Sequence, residues 1–348
     1  MGPARWIRRG WGLLRNEVLV LPSRTLVLVF CVALLALPLL TRDPYVLRVV
    51  ILASLFAVFA ASWDLVSGYS GQVSLGQALY FGAGAYGSAL LHHHLGWSPW
   101  VTIPFGAGAA MAAGFVAGIP CVRLRGSYLS LATLAFPLIV IGLLFALPAL
   151  SGGELGLSGL QPLVRSRVAF YYVAVVTMLV LVFAMWLIGD SNTGLVLHAI
   201  REDEVAARAS GIDTPRYRIL AFALAGLFSG IAGGLYAHFV RVAGPSTLEV
   251  SLSFQAVIWG VFGGVATIYG PVTGVFLLYP LTELLALVPW LGQHRLLVFA
   301  VVVLLVLRFM PQGVAHWVRD KIERECRRCK ARSVATRTTC RVCAADLR

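Results

Sequence analysis

Long apolar runs separated by short polar gaps fill most of this chain. A membrane span takes about 20 mostly apolar residues, fewer where a helix is broken or shielded by its neighbours. By that measure the pattern predicts about ten spans, near 25–40, 46–66, 75–91, 99–119, 128–148, 168–188, 218–239, 253–268, 270–287 and 294–308. The third, eighth and ninth are the least regular. The expected fold is therefore all-α, a polytopic membrane protein with about 8–10 transmembrane helices, some broken or re-entrant. It would occupy 25–313, behind a basic lead-in over 1–24 and ahead of a cytoplasmic tail over 314–348. The lead-in reads as an interfacial segment with Trp6 and Trp11 at headgroup depth, or as a basic tail; no cleavable signal peptide is expected.

Composition makes the membrane reading close to forced. The chain of 348 residues is 59% hydrophobic and only 12% charged, against roughly 25% charged in soluble domains. The formal charge of +13 raises the question of a nucleic-acid partner. Its placement answers otherwise. With the N-terminus inside and ten alternating spans, 22 of the 28 Lys and Arg fall on the inner side. That is the positive-inside bias, and it sets both termini in the cytoplasm. Arg165, Arg167 and Arg241 run against it. Membrane lipid is thus an expected partner and nucleic acid is not.

Two segments carry too much glycine and polarity for plain spans: 67–77, continuing through Gly82, Gly84 and Gly87, and 259–271. Irregular backbone at membrane depth must be buried in protein or line a watery path. Glycine-interrupted segments in both halves of a chain point to a translocation pathway, although the halves share no strong identity. Ser70, Gly71, Gln72, Ser74, Gln77, Gly263 and Gly264 are the candidates for it. Uncharged amides and hydroxyls suit the passage of a zwitterion or neutral solute. Gly82, Gly84 and Gly87 also fit plain helix packing. Ionisable residues within spans are scarce, with Asp64 at a span end and Glu283 inside the ninth candidate. No Asp/Glu/His relay is present, so an ion-coupled carrier is disfavoured.

One polar island interrupts the apolar pattern, over 189–217. Arg201, Glu202, Asp203 and Glu204 lead into a short apolar stretch that closes with Arg208 and Gly211. The three acids fit a helix N-terminus, Arg208 the last turn, and Gly211 a C-terminal cap. Thr214-Pro215 supplies a cap and first-turn proline for the next helix. The island reads as one bounded cytoplasmic helix that would lie in a cleft on a motor subunit, or else as a solvated loop.

The ordered runs SGYSGQVSLGQALYFGAGAYGSALL (67–91), RLRGSYLSLATLAF (123–136), SGGELGLSGL (151–160), AIREDEVAARASGID (199–213), FGGVATIYGPVTGVF (262–276) and RFMPQG (308–313) carry a resemblance. Together they resemble the permease subunits of branched-chain amino acid ABC transporters, the LivH/LivM type. The resemblance implies an inner-membrane importer in which two permease subunits form the pore. Two cytoplasmic ATPases would drive it, and a periplasmic binding protein would deliver the substrate. It also implies that 199–213 contacts the ATPase and that 67–77 and 259–271 lie near the pathway. Family members often carry histidine where this chain has Gln77. The chain contains no GxxxxGK[ST] run and would bind no ATP itself.

The tail holds Cys326-x2-Cys329, ten residues, and Cys340-x2-Cys343. Paired CxxC knuckles supply two edges of a tetrahedral thiolate site, so this zinc-ribbon-like module is expected to hold Zn, with a disulfide or redox pair as the alternative. Cys31 and Cys121 read as packing residues. His92-His93-His94 reads as an outside loop without metal. Two rival functions remain at this level: an ion-coupled secondary transporter and a membrane-anchored zinc-ribbon scaffold.

Overall fold

A computed structural model describes residues 22–287, 294–325, 332–334 and 343. The chain divides into two compact units, one of residues 42–313 and one combining 1–41 with 314–348. The second contains α1 (Pro22–Leu40), with Pro38 inside it, α14 (Val314–Ile322) and the antiparallel strands β3 (Glu323–Glu325) and β4 (Arg332–Val334).

The large unit is a helical bundle built from α2 (Pro44–Asp64), α3 (Gln77–Leu95), α4 (Pro99–Cys121), α5 (Ser127–Ala146), the short α6 (Pro148–Ser151) and α7 (Arg167–Asp190). It continues with α8 (Asn192–Glu202), α9 (Glu204–Ala209), α10 (Thr214–Val240), α11 (Val250–Gly263), α12 (Tyr269–Leu287) and α13 (Arg295–Phe309). Among the described residues, six helices are long and apolar enough to cross a membrane: α2 with its π-helical extension (Leu65–Tyr69), α4, α5, α7, α10 and α12. Shorter apolar helices cover 25–40, 250–263 and 297–306. α3 has the length of a span, diluted by glycines and three histidines. Every predicted span therefore overlaps a helix, although the one near 253–268 runs past the end of α11 into a turn.

Burial ranks these helices. The apolar window of α2 is 94% buried, whereas that of α5 is 17% buried. α2 is thus the central post, and α5 presents most of its apolar surface outward. Around the post, α3, α4 and α10 pack through glycine. A side chain on Gly84 would overlap the backbone of Gly230, and one on Gly226 would overlap Ala110. Without a hydrophobic drive between helices in lipid, such close backbone approach supplies the packing. For Gly84 this is the packing role that the sequence left open.

At one end of the bundle the segment after α6 folds back. Its strand β1 (Leu157–Ser158) pairs antiparallel with β2 (Val242–Ala243), directly after α10. Leu157, Leu160, Tyr86, Ala237 and Leu248 form a small core beneath it. At the other end lie α8 and α9, the island.

Candidate functional site

The island is two helices, not one. Asp203 breaks it: its backbone is extended (φ −152°), and its carboxylate caps α9 by accepting from Val205 N and Ala206 N at 2.8 and 3.0 Å. Ser191 caps α8 in the same way, accepting from Thr193 N at 3.2 Å. The expected trio of N-terminal acids is therefore corrected. Asp203 and Glu204 start α9, but Glu202 ends α8. A residue free to bond two amides beyond itself competes with helix continuation, and Asp203 does so here. Gly211 fulfils the expected stop. Its φ is +85°, Gly211 N donates to Arg208 O, and Ile212 N donates to Ala207 O, closing a Schellman turn. The next cap is Asp213, which accepts from Arg216 N at 3.2 Å, with Thr214 already inside the helix.

The island faces two ways. Glu204 is the hub of its inner side. Its carboxylate lies 2.7 Å from Arg208, 3.4 Å from Arg125 and 3.5 Å from Arg218. Arg218 is buried and also donates to the Val122 and Leu124 carbonyls at 3.1 and 3.2 Å. One carboxylate thereby ties α9 to the start of α10 and to the turn between α4 and α5. Arg201 also turns inward, donating through Nη1 to Gly68 O at 2.7 Å. Glu202, Asp203 and Val205 remain exposed on the outer side, as does Leu195.

The first broken segment takes that bond. α2 passes at Asp64 into the π-helical turn, which brings Gly68 and Tyr69 against α8. The Tyr69 ring lies 4.6 Å from that of His198, and a side chain on Gly189 would strike Tyr69. Gly71 has φ +69°, and the stem of Arg201 occupies the space its side chain would fill. Beyond it, neutral polar groups satisfy the irregular backbone, as irregular backbone inside a membrane protein demands. Ser70 Oγ donates to Val66 O at 2.7 Å, Gln72 Nε2 donates to Ser70 Oγ at 2.7 Å, and Ser74 N donates to Ser67 Oγ at 3.1 Å. Gln77 Nε2 donates to Ser62 Oγ at 2.7 Å. Ser70, Gln72, Ser74 and Gln77 are all buried, and Gln72 Oε1 and Gln77 Oε1 have no hydrogen-bond partner among the described residues. Phe56, Phe81, Tyr236, Trp259 and Tyr279 cluster nearby, with ring centroids 5.3–6.1 Å from Phe56.

The second broken segment is the turn from α11 to α12. Gly264 has φ +123°, Ala266 +62° and Ile268 +57°. A β-branched residue at positive φ is an outlier, and such backbone costs about 1–3 kcal/mol per residue unless its surroundings hold it. What holds it is Asp64. Its Oδ1 accepts from Ala266 N at 2.7 Å, and its Oδ2 from Thr267 N and Ile268 N at 2.9 and 3.0 Å. Gly68 has no side chain to block this, since a Cβ there would overlap the carboxylate. Gly313 closes against the Gly263–Gly264 turn from the other side. Sequence reasoning placed Asp64 at a span end and missed this role, because its three partners are backbone amides some two hundred residues away.

The blocks that carry the family resemblance therefore converge. Leu75 N donates to Thr133 Oγ1 at 3.0 Å, and Ser130 Oγ donates to Val73 O at 2.7 Å. Five of the six runs thus meet around 67–77, and 151–160 lies at the opposite end. There two histidines clamp the backbone N–H and carbonyl of one residue, Gln161. Gln161 N donates to His92 Nε2 at 3.2 Å, so His92 carries its proton on Nδ1 and donates to Trp97 O at 2.7 Å. His238 Nδ1 donates to Gln161 O at 2.7 Å, which leaves Nε2 to accept from the hydroxyls of Ser88 and Thr102, 2.9 and 3.3 Å away. His92, His93 and His94 form the last turn of α3, not a loop, because the left-handed Gly96 ends that helix only afterwards.

Among the described residues no group of three or more His, Cys, Asp or Glu is arranged to hold a metal. Cys326, Cys329 and Cys340 lie outside the described residues; Cys343 is described and half-buried.

An all-helical, multi-pass bundle whose broken helices meet a polar island at one end is that of a membrane transport permease. A family profile described as the permease component of the branched-chain amino acid transport system matches residues 45–307, and the chain belongs to that family. It is a multi-pass inner-membrane protein, a permease subunit of the ABC-importer type and not an enzyme. The high-affinity branched-chain amino acid permease protein LivM of Escherichia coli (strain K12) is 28% identical over 303 residues, covering 78% of this chain and 70% of the relative. LivM of Salmonella typhimurium (strain LT2) is 27% identical over 300 residues, covering 77% and 69%. The autoinducer 2 import permease LsrC of Yersinia pseudotuberculosis serotype O:3 is 28% identical over 225 residues, covering 62% and 59%. Permeases of this type work in importer complexes with other permease, ATPase and binding-protein components. The ion-coupled carrier and the scaffold are thereby set aside. No solved structure matches the chain.

Proposed function

We propose that this chain passes branched-chain or related hydrophobic amino acids, and that the energy enters through the island. The two-sidedness of the island carries the reading: the exposed Arg201 and the half-buried Glu204 are bonded to the membrane bundle, while Glu202, Asp203 and Val205 are exposed. A motor resting on the outer side would move the bundle through the inner side. The complex would comprise a second permease subunit, two cytoplasmic ATPases and a periplasmic binding protein, with the island and both termini in the cytoplasm. Glu202, Asp203, Arg208 and Gly211 belong to the docking face; Arg201 and Glu204 fasten it. Ser70, Gly71, Gln72, Ser74, Gln77, Gly263 and Gly264 border the pathway. The unpartnered amide oxygens of Gln72 and Gln77 support that reading, and the aromatic cluster suits an apolar side chain.

The test is reconstitution of the complex in vesicles with Glu202→Lys/Val205→Asp in the permease. Loss of ATPase co-purification and of ATP-dependent leucine uptake is expected. A variant that holds its ATPases and transports normally shows that the docking face lies elsewhere. Uptake of a different solute, with leucine ignored, would overturn the substrate.

For the tail, the donor set of two CxxC edges supports one tetrahedral Zn²⁺ held by Cys326, Cys329, Cys340 and Cys343. Metal analysis of the purified full chain should find about one zinc per chain, and much less in Cys326→Ser. A content near zero in the unaltered chain ends that proposal.

A further inference from the structure

Three features stand apart in sequence: the island, the first broken segment and the second. Two sets of bonds join them. Arg201 on α8 donates to the Gly68 carbonyl, and Gly68 sits one π-helical turn beyond Asp64. Asp64 in turn accepts the backbone amides of Ala266, Thr267 and Ile268 through both its oxygens. The steric fit is continuous as well. The Arg201 stem fills the space beside Gly71, and the absent side chain of Gly68 lets Asp64 reach Ala266. The segment at the far end of this chain of contacts is the one with left-handed backbone at two non-glycine residues. Such backbone persists where its surroundings over-determine it, so withdrawing its acceptor releases it to another conformation. Packed elements of this kind switch between discrete arrangements and do not bend smoothly.

We propose that Arg201 and Asp64 are positioning residues that carry motion of the island to the α11–α12 turn. The proposal rests on the island being the motor's docking site. A displacement of α8 draws on the Gly68 carbonyl, shifts the π-helical turn, and moves the Asp64 carboxylate against the three amides it holds. The two broken segments then change together, and neither requires its own contact with the motor. A carboxylate suits the task because it accepts on both oxygens. The amide of asparagine would turn an N–H₂ toward at least one backbone N–H.

The experiment follows the turn itself. Val265, half-buried in the turn, is replaced by cysteine in the full importer complex, and its labelling by a thiol reagent is read by peptide mass spectrometry. Labelling is compared between the nucleotide-free and the ATP-vanadate-trapped complex. A change of at least about threefold between the two states is expected with Arg201 intact. It is expected to vanish in Arg201→Ala complexes that still hold their ATPases, and to return in part in Arg201→Lys, which keeps one donor for the carbonyl. Asp64→Asn is expected to lower ATP-driven uptake by about tenfold, and Arg201→Ala/Asp64→Asn to be no worse than the weaker single variant, as for two links of one chain. Nucleotide-dependent labelling that persists in Arg201→Ala overturns the relay, as does a double variant whose losses multiply. A merely structural role for Arg201 would leave the labelling change in place wherever the complex assembles. If the unaltered chain holds no ATPase at the island, the docking reading itself falls and takes the relay with it; persistent labelling in an assembled complex removes the relay alone.

Discussion

The two ends of the bundle are tied by different chemistry. At the island end, four arginines and one acid, Glu204, hold α8 and α9 to the membrane helices, and most of them keep one side in solvent. At the opposite end, two histidines with defined tautomers, one of them backed by Ser88 and Thr102, clamp the backbone of Gln161 with no formal charge in the contact. A charge-assisted bond is long-ranged and strong, and it tolerates shifts of position. A neutral histidine bridge works only in one geometry and one protonation state. The island end can thus stay attached through the motion proposed above, and the opposite end holds one arrangement.

The contrast can be broken most severely at its hub. Glu204→Ala leaves the buried Arg218 without its carboxylate. Removing one partner of a buried pair costs 3–5 kcal/mol, and the partial exposure of Glu204 puts the loss here at about 3 kcal/mol. Thermal unfolding of the purified protein in detergent should show it, and an unchanged midpoint would mean that the Val122 and Leu124 carbonyls suffice for Arg218. At the other end, His238→Ala strands the Gln161 carbonyl and leaves Ser88 only its bond to Thr102, a loss of about 2 kcal/mol that loosens 152–163. Limited proteolysis of that segment reads it directly. Removing the cap in Asp213→Ala should cost about 1 kcal/mol and fray only the first turn of α10, seen as faster amide exchange there.

The smallest expected effect is a pH dependence at the island. Burial, aided by Arg201 and opposed by Glu202, holds the His198 imidazole below its ordinary value. The folded chain therefore resists the proton that the unfolded chain accepts. Stability from this residue is fully present above the unfolded value of about 6.5 and is lost as pH falls through the folded one. Acidification from about pH 7.5 to about pH 5.5 should lower the unfolding midpoint slightly, and His198→Gln should abolish that part of the slope.

Much of the architecture was legible in the sequence. The apolar runs marked all six of the long apolar helices because a membrane demands unbroken apolar length, and Gly211 marked the end of the island because few other residues take its backbone. What stayed hidden was orientation and distance. Nothing local says that Arg201 turns inward while its neighbour Glu202 faces out, or that Asp203 splits the island by capping two amides ahead. Asp64 was least legible of all. It looks like a span-end acid, and only the folded chain brings it to the amides of 266–268. The convergence of five sequence runs on the two broken segments was likewise invisible until Thr133 and Arg201 were seen to close on the first and Gly313 on the second.

One helix carries both fastenings. Arg218 begins α10 and His238 ends it, about 30 Å apart at a rise of 1.5 Å per residue. A single residue inserted between them would turn one fastening about 100° away from its partners while leaving every side chain chemically intact. The length of α10 is therefore constrained as well as its composition. Among natural variants of this chain, substitutions along 219–237 should fall away from the packing glycines Gly226 and Gly230, and insertions or deletions there should be almost unknown.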